Sequence, residues 1–395
     1  MDGRTTAGNR FARRKAAEKR NRYFDYNLII VLGFLLFFGL VMVYSSSSYD
    51  AYLTFGDSSY YFHKQIKATL AGVAFMTIMA VIPYHFWERF SWVAYGVSIL
   101  FIILIIPYGY EANGAKRWIR IFGVSMQPAE VAKICMIIFL ACRITKMGSE
   151  VATWLGFFMI LGLVVPISLL LWSVTSNASS AIIVMAIAVV MLFVSTPDYK
   201  RYLYAAIAVA ILAALVVWIL VQNASGADPG NLGGYRGARI LAWLDPEAYA
   251  SGKGFQTLQA LYAIGSGGMF GKGLGGSMQK LGFIPEAQND MIFSVICEEL
   301  GFFGALALML GFILLIWRLK IIADSASDLL GALMVIGVMG HVAIQVILNI
   351  AVVTNTIPNT GISLPFISYG GSATFFLMGE MGLCLSVERG IRLGD

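Results

Sequence analysis

A long stretch of the chain carries no charge at all, and this feature restricts the fold more than any other. No Asp, Glu, Lys or Arg occurs between Glu150 and Asp198. A run of that length is typical of membrane-spanning segments and exceeds a buried core helix. Composition agrees, because only 13% of the residues are charged, against about a quarter in soluble proteins. Soluble and fibrous classes are excluded, and the sequence predicts an all-α polytopic integral membrane protein.

Apolar runs of about 20 residues, the length that crosses a bilayer, recur along the chain. The polar patch 173–180 predicts a tight hairpin between the fifth and sixth runs, and a large extracytoplasmic loop (about 223–289) separates the seventh from the eighth. The chain divides into a basic tail (1–25), one transmembrane domain (26–390) and a short C-terminus (391–395). We predict ten transmembrane helices, near 28–47, 66–85, 90–110, 128–145, 152–173, 178–197, 202–222, 290–317, 329–354 and 365–387.

The distribution of the basic residues sets the predicted orientation. Eight of the 28 bases precede residue 23, directly before the first apolar run. Cytoplasmic segments retain Lys and Arg and contact anionic lipid. We therefore predict a protein of the cell membrane with cytoplasmic N- and C-termini. The net charge of +6 is explained by basic residues that contact anionic lipid, and we predict no binding of nucleic acid. The tail is too long and too charged for a cleaved signal peptide.

Two segments on the predicted outer side carry bases against this trend. In the segment 114–128, three bases flank Trp118, and the large loop adds five more among glycines and aromatic residues. Bases on the outer side indicate an anionic ligand that approaches from outside. Interfacial anchoring by Arg, Lys and Trp explains them equally well at this point. The bases are Lys116, Arg117, Arg120, Arg236, Arg239, Lys253, Lys272 and Lys280.

Charged side chains within predicted spans are costly in lipid and are therefore candidate functional groups. Asp290 begins the eighth span at the membrane boundary, where an ionised carboxylate can meet a substrate. Glu298 and Glu299 follow about two turns later, and only Glu298 falls near the face of Asp290. Glu130 and Lys133 are three residues apart, so they can pair on one helix face and lower each other's cost.

Other polar or reactive residues in the spans have plain structural explanations. His341, Gln345 and Asn349 recur every fourth residue, and interhelical hydrogen bonding is the favoured explanation of this stripe. Glu380 stands alone in the tenth span, where an interior contact and a function are equally good explanations. The cysteines lie singly in apolar stretches, which predicts packing and neither a disulfide nor a metal site: Cys135, Cys142, Cys297 and Cys384.

The glycine-rich stretch 265–276 (GSGGMFGKGLGG) invites comparison with phosphate-binding loops. Ser266 stands where the Walker pattern needs its first glycine, and Gly273 follows Lys272 where Ser or Thr is required. A tight backbone close to the bilayer is the firmer prediction, although loop amides of this kind can cradle a pyrophosphate. The sequence contains no G-x-S-x-G elbow, zinc motif or Rossmann fingerprint.

Three motifs resemble those of the SEDS family (shape, elongation, division and sporulation), the RodA/FtsW/SpoVE-type membrane proteins of bacterial wall synthesis. They are GAKRWIRIFGVSMQPAEVAK at 114–133, GKGLGGSMQKLGFIPEAQNDMIFSVICEELG at 271–301 and PNTGISLPFISYGGS at 358–372. Their order, the ten spans and the large loop match too, so the resemblance covers nearly the whole chain. The QKL and PEA segments are more similar to the division and sporulation branch than to the rod-elongation branch.

The resemblance implies a peptidoglycan glycosyltransferase of the bacterial cell membrane. Such a protein polymerises lipid II and works with a class B penicillin-binding protein as transpeptidase. The family's essential acidic residue falls on Asp290. The resemblance also implies substrate binding by residues of the motifs and the loop: Lys116, Arg117, Trp118, Arg120, Gln127, Glu130, Lys133, Arg236, Arg239, Gln256, Lys272, Glu299, Ser368 and Tyr369.

Three positions depart from the family pattern. Asn289 replaces the usual threonine before the aspartate, and Gln288 replaces the usual histidine. Both changes keep the carboxylate but alter its hydrogen-bond neighbours. Asn177 stands where an aspartate is common, which puts a catalytic or ion-coupling role of that position in doubt.

The implied chemistry is an inverting displacement of polyprenyl pyrophosphate. Asp290 is expected to act as general base on the acceptor 4-hydroxyl, while outer bases stabilise the leaving pyrophosphate. A divalent cation, Mg²⁺ or Mn²⁺, could share that work, although the sequence shows no dedicated ligand set. The lipid tail requires an apolar lateral groove between spans. Two other functions stay open, namely a lipid II flippase and a non-catalytic scaffold for a transpeptidase.

Overall fold

The computed structural model describes residues 25–112, 115–121, 123–196, 198–224, 234–250 and 252–391. Most of the predicted basic tail and of the C-terminus lies outside these residues. In chain order the elements are α1 (Tyr26–Phe55), α2 (Tyr60–Val81), α3 (His85–Arg89), α4 (Ser91–Ile103), α5 (Ile105–Tyr108), β1 (Gly109–Ala112), β2 (Ala115–Ile121), β3 (Val124–Met126), α6 (Pro128–Met147), a 3-10 turn (Gly148–Ala152), α7 (Trp154–Ser173), α8 (Ala178–Ser195), α9 (Tyr199–Ala224), α10 (Gly234–Leu244), α11 (Lys253–Gly267), α12 (Ile292–Asp324), α13 (Leu329–Val353) and α14 (Gly371–Glu388).

Every predicted span overlaps at least one of these helices. Within the described ranges, seven helical segments are long and apolar enough to cross a membrane. They are α1, α2, the combined α4 and α5, α7, α8, α12 and α13. The helical, multi-pass membrane fold is therefore confirmed, whereas the number of ten crossings stays a prediction.

Local capping explains where several helices begin. The Asp25 carboxylate accepts hydrogen bonds from the first amides of α1, and Pro128 occupies the first position of α6, where its missing N–H costs nothing. The Asn177 side chain accepts from the Ser180 amide (3.1 Å) and caps α8, which only four residues separate from the end of α7. The predicted tight hairpin between the fifth and sixth spans is confirmed.

Helix α13 lies at the centre of the bundle. Its apolar window is 72% buried, against 22 to 44% for the other six segments. It packs against α6, α8, α12 and α14, while α14 also packs along α2. Polar side chains on α13 therefore face other helices and must find partners within the protein.

A small antiparallel sheet, β1–β2–β3, stands between α5 and α6. Trp118 pairs with Tyr110 on β1, and Ile119 pairs with Met126 on β3. This sheet was not predicted from the sequence, because a strand of seven residues is a weak signal until it pairs. Successive side chains of β2 point to opposite faces, so Arg117 and Arg120 lie on opposite sides of the sheet.

The connection between α9 and α12 is folded. It contains α10, α11 and a run of turns over 268–291, while 225–233 and 251 lie outside the described residues. Helix α12 is broken at Gly301 (φ 66°, ψ −166°), where a Cβ would lie 2.3 Å from the Gly271 nitrogen. The glycine-rich stretch fills this break and satisfies backbone groups that lipid could not. Its hydrogen bonds run from the amides of Lys272, Gly273, Phe302 and Phe303 to the carbonyls of Glu298, Glu299, Gly268 and Met269, respectively.

Candidate active site

Asp290 lies in the turn that precedes α12, at one end of the helical bundle, which we call the Asp290 end. The Asn349 amide of α13 donates to the Asp290 carbonyl (2.8 Å) and to the Ile362 carbonyl (2.7 Å). The Tyr369 backbone amide donates to the Gln288 carbonyl (2.9 Å). The backbone that carries the carboxylate is therefore tied both to the central helix and to the segment 354–370.

The Asp290 carboxylate faces a relay of polar side chains. Gln256 of α11 lies 3.5 Å from Oδ1 and also donates to the Pro285 carbonyl (3.3 Å). Asn359 donates to the Gln256 side-chain oxygen (3.1 Å), and its own carbonyl accepts from Arg239 of α10 (3.2 Å). The Arg239 guanidinium is thus connected to the Asp290 carboxylate through two intervening residues, Asn359 and Gln256. At this position it can stabilise negative charge near the carboxylate.

One side of the carboxylate is kept open by a glycine. A Cβ on Gly361 would lie 3.8 Å from Oδ2 of Asp290. The backbone φ of Gly361 is +69°, a value that residues other than glycine rarely adopt. Asp290 itself is only half-buried. The carboxylate can therefore receive a hydroxyl group from the Asp290 end.

The pKa of Asp290 is raised from its ordinary value of 3.8 to about 6. Asp290 precedes α12 and so lies outside the membrane-spanning helix. Burial is the largest cause of the raised pKa and the charge of Glu286 adds to it, while Arg239 and Gln256 oppose it. A carboxylate with this pKa is still ionised at neutral pH but accepts a proton more readily than an ordinary aspartate.

The two departures beside Asp290 take hydrogen-bond partners within the site. Asn289 donates to the Glu286 carboxylate (2.9 Å), and Gln288 lies 3.4 Å from the Asp50 carboxylate at the end of α1. Neither side chain contacts the Asp290 carboxylate in the hydrogen bonds of the described residues. Their effect on Asp290 therefore passes through Glu286 and through the backbone.

The predicted residues of the motif 114–133 surround the small sheet. Arg117 donates to the Ser176 carbonyl in the α7–α8 turn (3.0 Å), and the Arg120 guanidinium lies 5.3 Å from the Tyr110 ring centre. Lys116 is exposed, Trp118 lies half-buried on β2, and Gln127 immediately precedes α6. Lys116, Arg117 and Arg120 thus stand at the Asp290 end of the bundle, on strand β2 of the sheet.

Glu130 and Lys133 form the predicted pair (2.8 Å), and both are buried. Lys133 also donates to the Gln345 oxygen (3.3 Å), which His341 contacts at 2.8 Å. His341 in turn contacts Glu380 at 2.7 Å, so Glu380 has an interior contact. The predicted interhelical hydrogen bonding of the polar stripe is confirmed, and it joins α6, α13 and α14.

Two lysines of the glycine-rich segment bind the consecutive acids of α12. Lys272 lies 2.7 Å from Glu298, and Lys280 lies 2.7 Å from Glu299. Ser45 of α1 donates to both oxygens of Glu299 (2.7 and 2.8 Å). Both carboxylates are completely buried, whereas the Lys272 side chain is 35% exposed. Lys272 and Glu299, which we predicted to bind substrate, are thus engaged with groups of the protein.

The C-terminal motif shapes the segment opposite Asp290. The Ser368 hydroxyl accepts a hydrogen bond from the Leu364 amide (2.8 Å), and the Tyr369 ring meets the Tyr61 ring edge-on at 5.0 Å. Ser368 therefore stabilises the turn, and Tyr369 stands beside the site. The side chain of Arg236, another predicted residue, lies outside the described part of the chain.

Several residues of the site were missed by sequence reasoning. Asn359 and Gly361 lie within the motif PNTG, where the Asn-x-Gly pattern after a proline signals a turn but not its neighbours. Ser45 and Asp50 lie on α1, more than 200 residues away from the groups they contact. Asn355 exchanges hydrogen bonds with Trp243 of α10 (3.0 and 3.3 Å), which docks that helix on the segment 354–370.

Among the described residues, no group of three or more His, Cys, Asp or Glu side chains is placed to hold a metal ion. The carboxylates near the site are separated or engaged: Glu286 holds Asn289, and Glu298 holds Lys272. The described residues therefore offer no ready ligand set for the predicted divalent cation.

The chain matches the family model of FtsW, RodA and SpoVE, described as cell cycle proteins, over residues 26–392. It belongs to this family. It is 35% identical over 372 residues to a probable peptidoglycan glycosyltransferase FtsW of Trichlorobacter lovleyi, which covers 94% of both chains. It is also 35% identical over 368 residues to the stage V sporulation protein E of Bacillus subtilis, which covers 92% of this chain and 97% of that protein. The predicted family is confirmed.

Solved structures agree with the fold. A structure reported as a peptidoglycan synthase complex that coordinates polymerization and crosslinking has a TM-score of 0.77 and 26% identity, over 93% of this chain and 98% of that chain. The rod shape determining protein RodA of Thermus thermophilus has a TM-score of 0.65 and 24% identity, over 94% and 98% of the two chains. The similarity to RodA supports the fold alone.

Proposed function

We propose that this protein is a peptidoglycan glycosyltransferase that polymerises lipid II at the outer face of a bacterial cell membrane. The observation that carries the proposal is the environment of Asp290, which combines a raised pKa, an open side at Gly361 and a nearby cation. Family membership and the name of the FtsW relative support the same reaction. The environment of Asp290 suits a catalytic base, and we therefore favour the enzyme over the flippase and scaffold functions.

Asp290 acts as the general base. The acceptor 4-hydroxyl approaches from the side of Gly361 and transfers its proton to the carboxylate as the oxygen attacks the anomeric carbon of the donor. Gln256 and Asn359 orient the carboxylate, and Asn349 fixes the backbone that carries it. A base with a pKa near 6 suits proton transfer at neutral pH, because it is ionised and yet basic enough to take the proton.

Cations at the Asp290 end stabilise the leaving pyrophosphate. Arg239 and Arg117 are the strongest candidates, because each guanidinium is held by a backbone carbonyl at 3.2 and 3.0 Å and so has a fixed position. Fixed positive charge favours the transition state, in which negative charge develops on the pyrophosphate. We infer that Lys133, Lys272 and Glu299 position helices and do not touch substrate, since each has an ion-pair partner in the protein.

A class B penicillin-binding protein is the proposed partner. The similar solved structure is a complex that coordinates polymerization with crosslinking, which supports a transpeptidase beside this chain. The proposed orientation leaves the basic tail and the C-terminus in the cytoplasm, so that Asp290 faces the outside. Polymerised strands then emerge on the side where crosslinking occurs.

The test is polymerisation of purified lipid II by the purified protein, with and without a cognate transpeptidase. We expect glycan strands from the wild type and none from Asp290→Asn, which keeps the size and loses the base. A matched control, Glu247→Gln, makes the same carboxylate-to-amide change at an exposed position and should retain polymerisation. Equal product from wild type and Asp290→Asn would refute the proposed role of Asp290. Transbilayer movement of lipid II by both proteins without strand formation would favour a flippase.

A further inference from the structure

A shallow apolar groove runs between α7 and α8, in the half of these helices that is nearest the Asp290 end. Its volume is about 400 Å³. Leu169 and Trp172 form one wall, and Ala181, Ile182 and Met185 form the other. Leu169, Trp172 and Ile182 are about half exposed, so the groove opens sideways to the hydrocarbon of the membrane. A long hydrocarbon chain can therefore reach it from within the bilayer.

The walls of the groove are almost entirely apolar. Ser168 also lines it, and its buried hydroxyl has no hydrogen-bond partner among the described residues. A site for a polar molecule would offer converging donors and acceptors, whereas this groove offers hydrocarbon walls. The occupant that fits is an apolar chain that lies lengthwise between the helices.

A fixed cation stands where the groove meets the α7–α8 turn. The turn residue Ser176 accepts a hydrogen bond from Arg117 of β2 (3.0 Å) through its carbonyl. The carbonyl holds the guanidinium in place beside the turn. An occupant of the groove thus meets positive charge as it leaves the membrane, which selects an apolar chain with an anionic end.

The same turn leads directly to the Asp290 site. Ser179, in the first turn of α8, donates to the Thr360 carbonyl. Thr360 precedes Gly361, whose Cβ position lies 3.8 Å from the Asp290 carboxylate. The apolar groove, the cation and the carboxylate therefore follow one another along a continuous line of contacts. This order matches a molecule that consists of a hydrocarbon chain, a pyrophosphate and a sugar.

We propose that the α7–α8 groove binds the part of the polyprenyl chain nearest the pyrophosphate of the lipid-linked donor. The proposal rests on the proposed function and names the place where its substrate leaves the bilayer. An ordinary phospholipid has an apolar chain too, but it has no sugar to reach from Arg117 to Asp290. The groove then positions the donor. A prenyl chain bound there fixes how far the pyrophosphate and the sugar extend from the helices toward the Asp290 carboxylate.

The first test fills the groove and varies the length of the prenyl chain. Ala181→Phe places a ring in the groove, and Ala206→Phe makes the same change on an exposed position of α9. With lipid II that carries a full-length chain, we expect Ala181→Phe to raise KM about tenfold, because a displaced chain loses about ten close packing contacts with the helices, each of about 0.1–0.2 kcal/mol. With a lipid II analogue whose chain is too short to fill the groove, Ala181→Phe and the wild type should have the same KM. Ala206→Phe should match the wild type with both substrates.

The proposal is overturned if Ala181→Phe keeps the wild-type preference for the long chain, or if Ala206→Phe loses that preference equally. If Ala181→Phe loses activity with both substrates, its thermal midpoint of unfolding shows whether the variant is folded. If Ala181→Phe does not fold, Leu169→Ala, which opens the wall and leaves the α8 side intact, replaces it. A wild-type preference for the long chain that survives in Leu169→Ala also overturns the proposal.

The second test does not depend on turnover, so failure of the groove and failure of the proposed function can be told apart. A polyprenyl pyrophosphate with a photoreactive group in its first isoprene units is irradiated with the protein. We expect labelled peptides from 165–185 and loss of the label in Ala181→Phe. Labelling elsewhere, or full competition by a phospholipid at equal concentration, overturns the proposal. Labelling of 165–185 by a wild type that makes no strands would support the groove while it refutes the polymerase.

Discussion

Replacing Glu286 by Gln removes a negative charge that acts on Asp290, and we expect this change to move the pH dependence of turnover. The wild-type pKa of about 6 is raised chiefly by burial and secondly by Glu286. A general base works only in its ionised form, so wild-type activity should fall about tenfold for each pH unit below about 6. Glu286→Gln lowers the pKa of Asp290 and shifts this acid limb to lower pH.

The size of the effect has a ceiling. At pH 5 a carboxyl group with a pKa of 6 is about 10% ionised, whereas one with the ordinary pKa of 3.8 is more than about 90% ionised. Complete removal of the perturbation would thus raise the activity at pH 5 about tenfold. Glu286→Gln should recover only part of that, because burial is the larger cause. Arg239→Gln acts with the opposite sign, since loss of the guanidinium raises the pKa of Asp290 further.

The assay measures initial rates of glycan formation from lipid II between pH 5 and pH 8, at fixed ionic strength. Glu247→Gln is a matched control, because Glu247 is exposed and is not among the groups that shift Asp290. Its acid limb should coincide with that of the wild type. A wild-type limb near pH 4, or shifts of Glu286→Gln and Arg239→Gln in the same direction, would refute the reasoning.

Stability supplies an independent check of the sign. The folded-state pKa of Asp290 lies above its ordinary value, so the folded protein binds this proton more tightly than the unfolded chain does. The resulting stabilisation is present below about pH 3.8 and is lost as the pH rises through about 6. At pH 7 the ionised carboxylate is a cost, and Asp290→Asn should unfold at the same temperature as the wild type or higher. A clearly lower midpoint would show that Asp290 stabilises the fold.

Three further predictions concern the ion pairs of α12, the Asn349 side chain and the break at Gly301. Lys280→Met leaves the buried Glu299 without its cation and should cost about 3–5 kcal/mol, read as a lower thermal midpoint; Lys272→Met should cost less, because water reaches that lysine and can screen the charge. Asn349→Ala leaves the Asp290 and Ile362 carbonyls without this donor, at about 2 kcal/mol or more, and should lower kcat more than it raises KM, as steady-state kinetics would show. Gly301→Ala should abolish folded protein on size exclusion, because its φ is left-handed and its Cβ would strike the Gly271 nitrogen, whereas Gly265→Ala, with open space, should fold normally.

Periodicity and charge predicted much of the fold because membrane helices satisfy their backbone internally and leave a strong local signal. The pair of Glu130 and Lys133 and the stripe of His341, Gln345 and Asn349 follow from helical spacing alone, and the structure confirms both. The sheet around Trp118 escaped prediction, because a strand becomes stable only through partners elsewhere in the chain. The break at Gly301 escaped too, since the sequence around it is apolar enough for a continuous helix.

The candidate site divides in the same way. Motif resemblance pointed to Asp290, Arg239 and Gln256, which the structure brings together through Asn359. It also grouped Lys272 and Glu299 with them, because a motif records which residues belong together and not which of them face a substrate. Their ion-pair partners, Glu298 and Lys280, were visible in the sequence, but the pairing depends on how the glycine-rich stretch enters the break in α12.

The sequence by itself determined that the chain lies in a membrane, which segments are helical, and where its few charges stand. These properties depend on local composition, because lipid tolerates only apolar, internally bonded helices and makes each charge costly. The tertiary structure alone decided what each charge does. Asp290 acquires its raised pKa from burial and from Glu286, whereas Glu299, nine residues later, is bound by Lys280 and by Ser45 of α1. Two acids of one motif differ because packing between distant segments, which no local pattern records, sets the solvent and the charges around each.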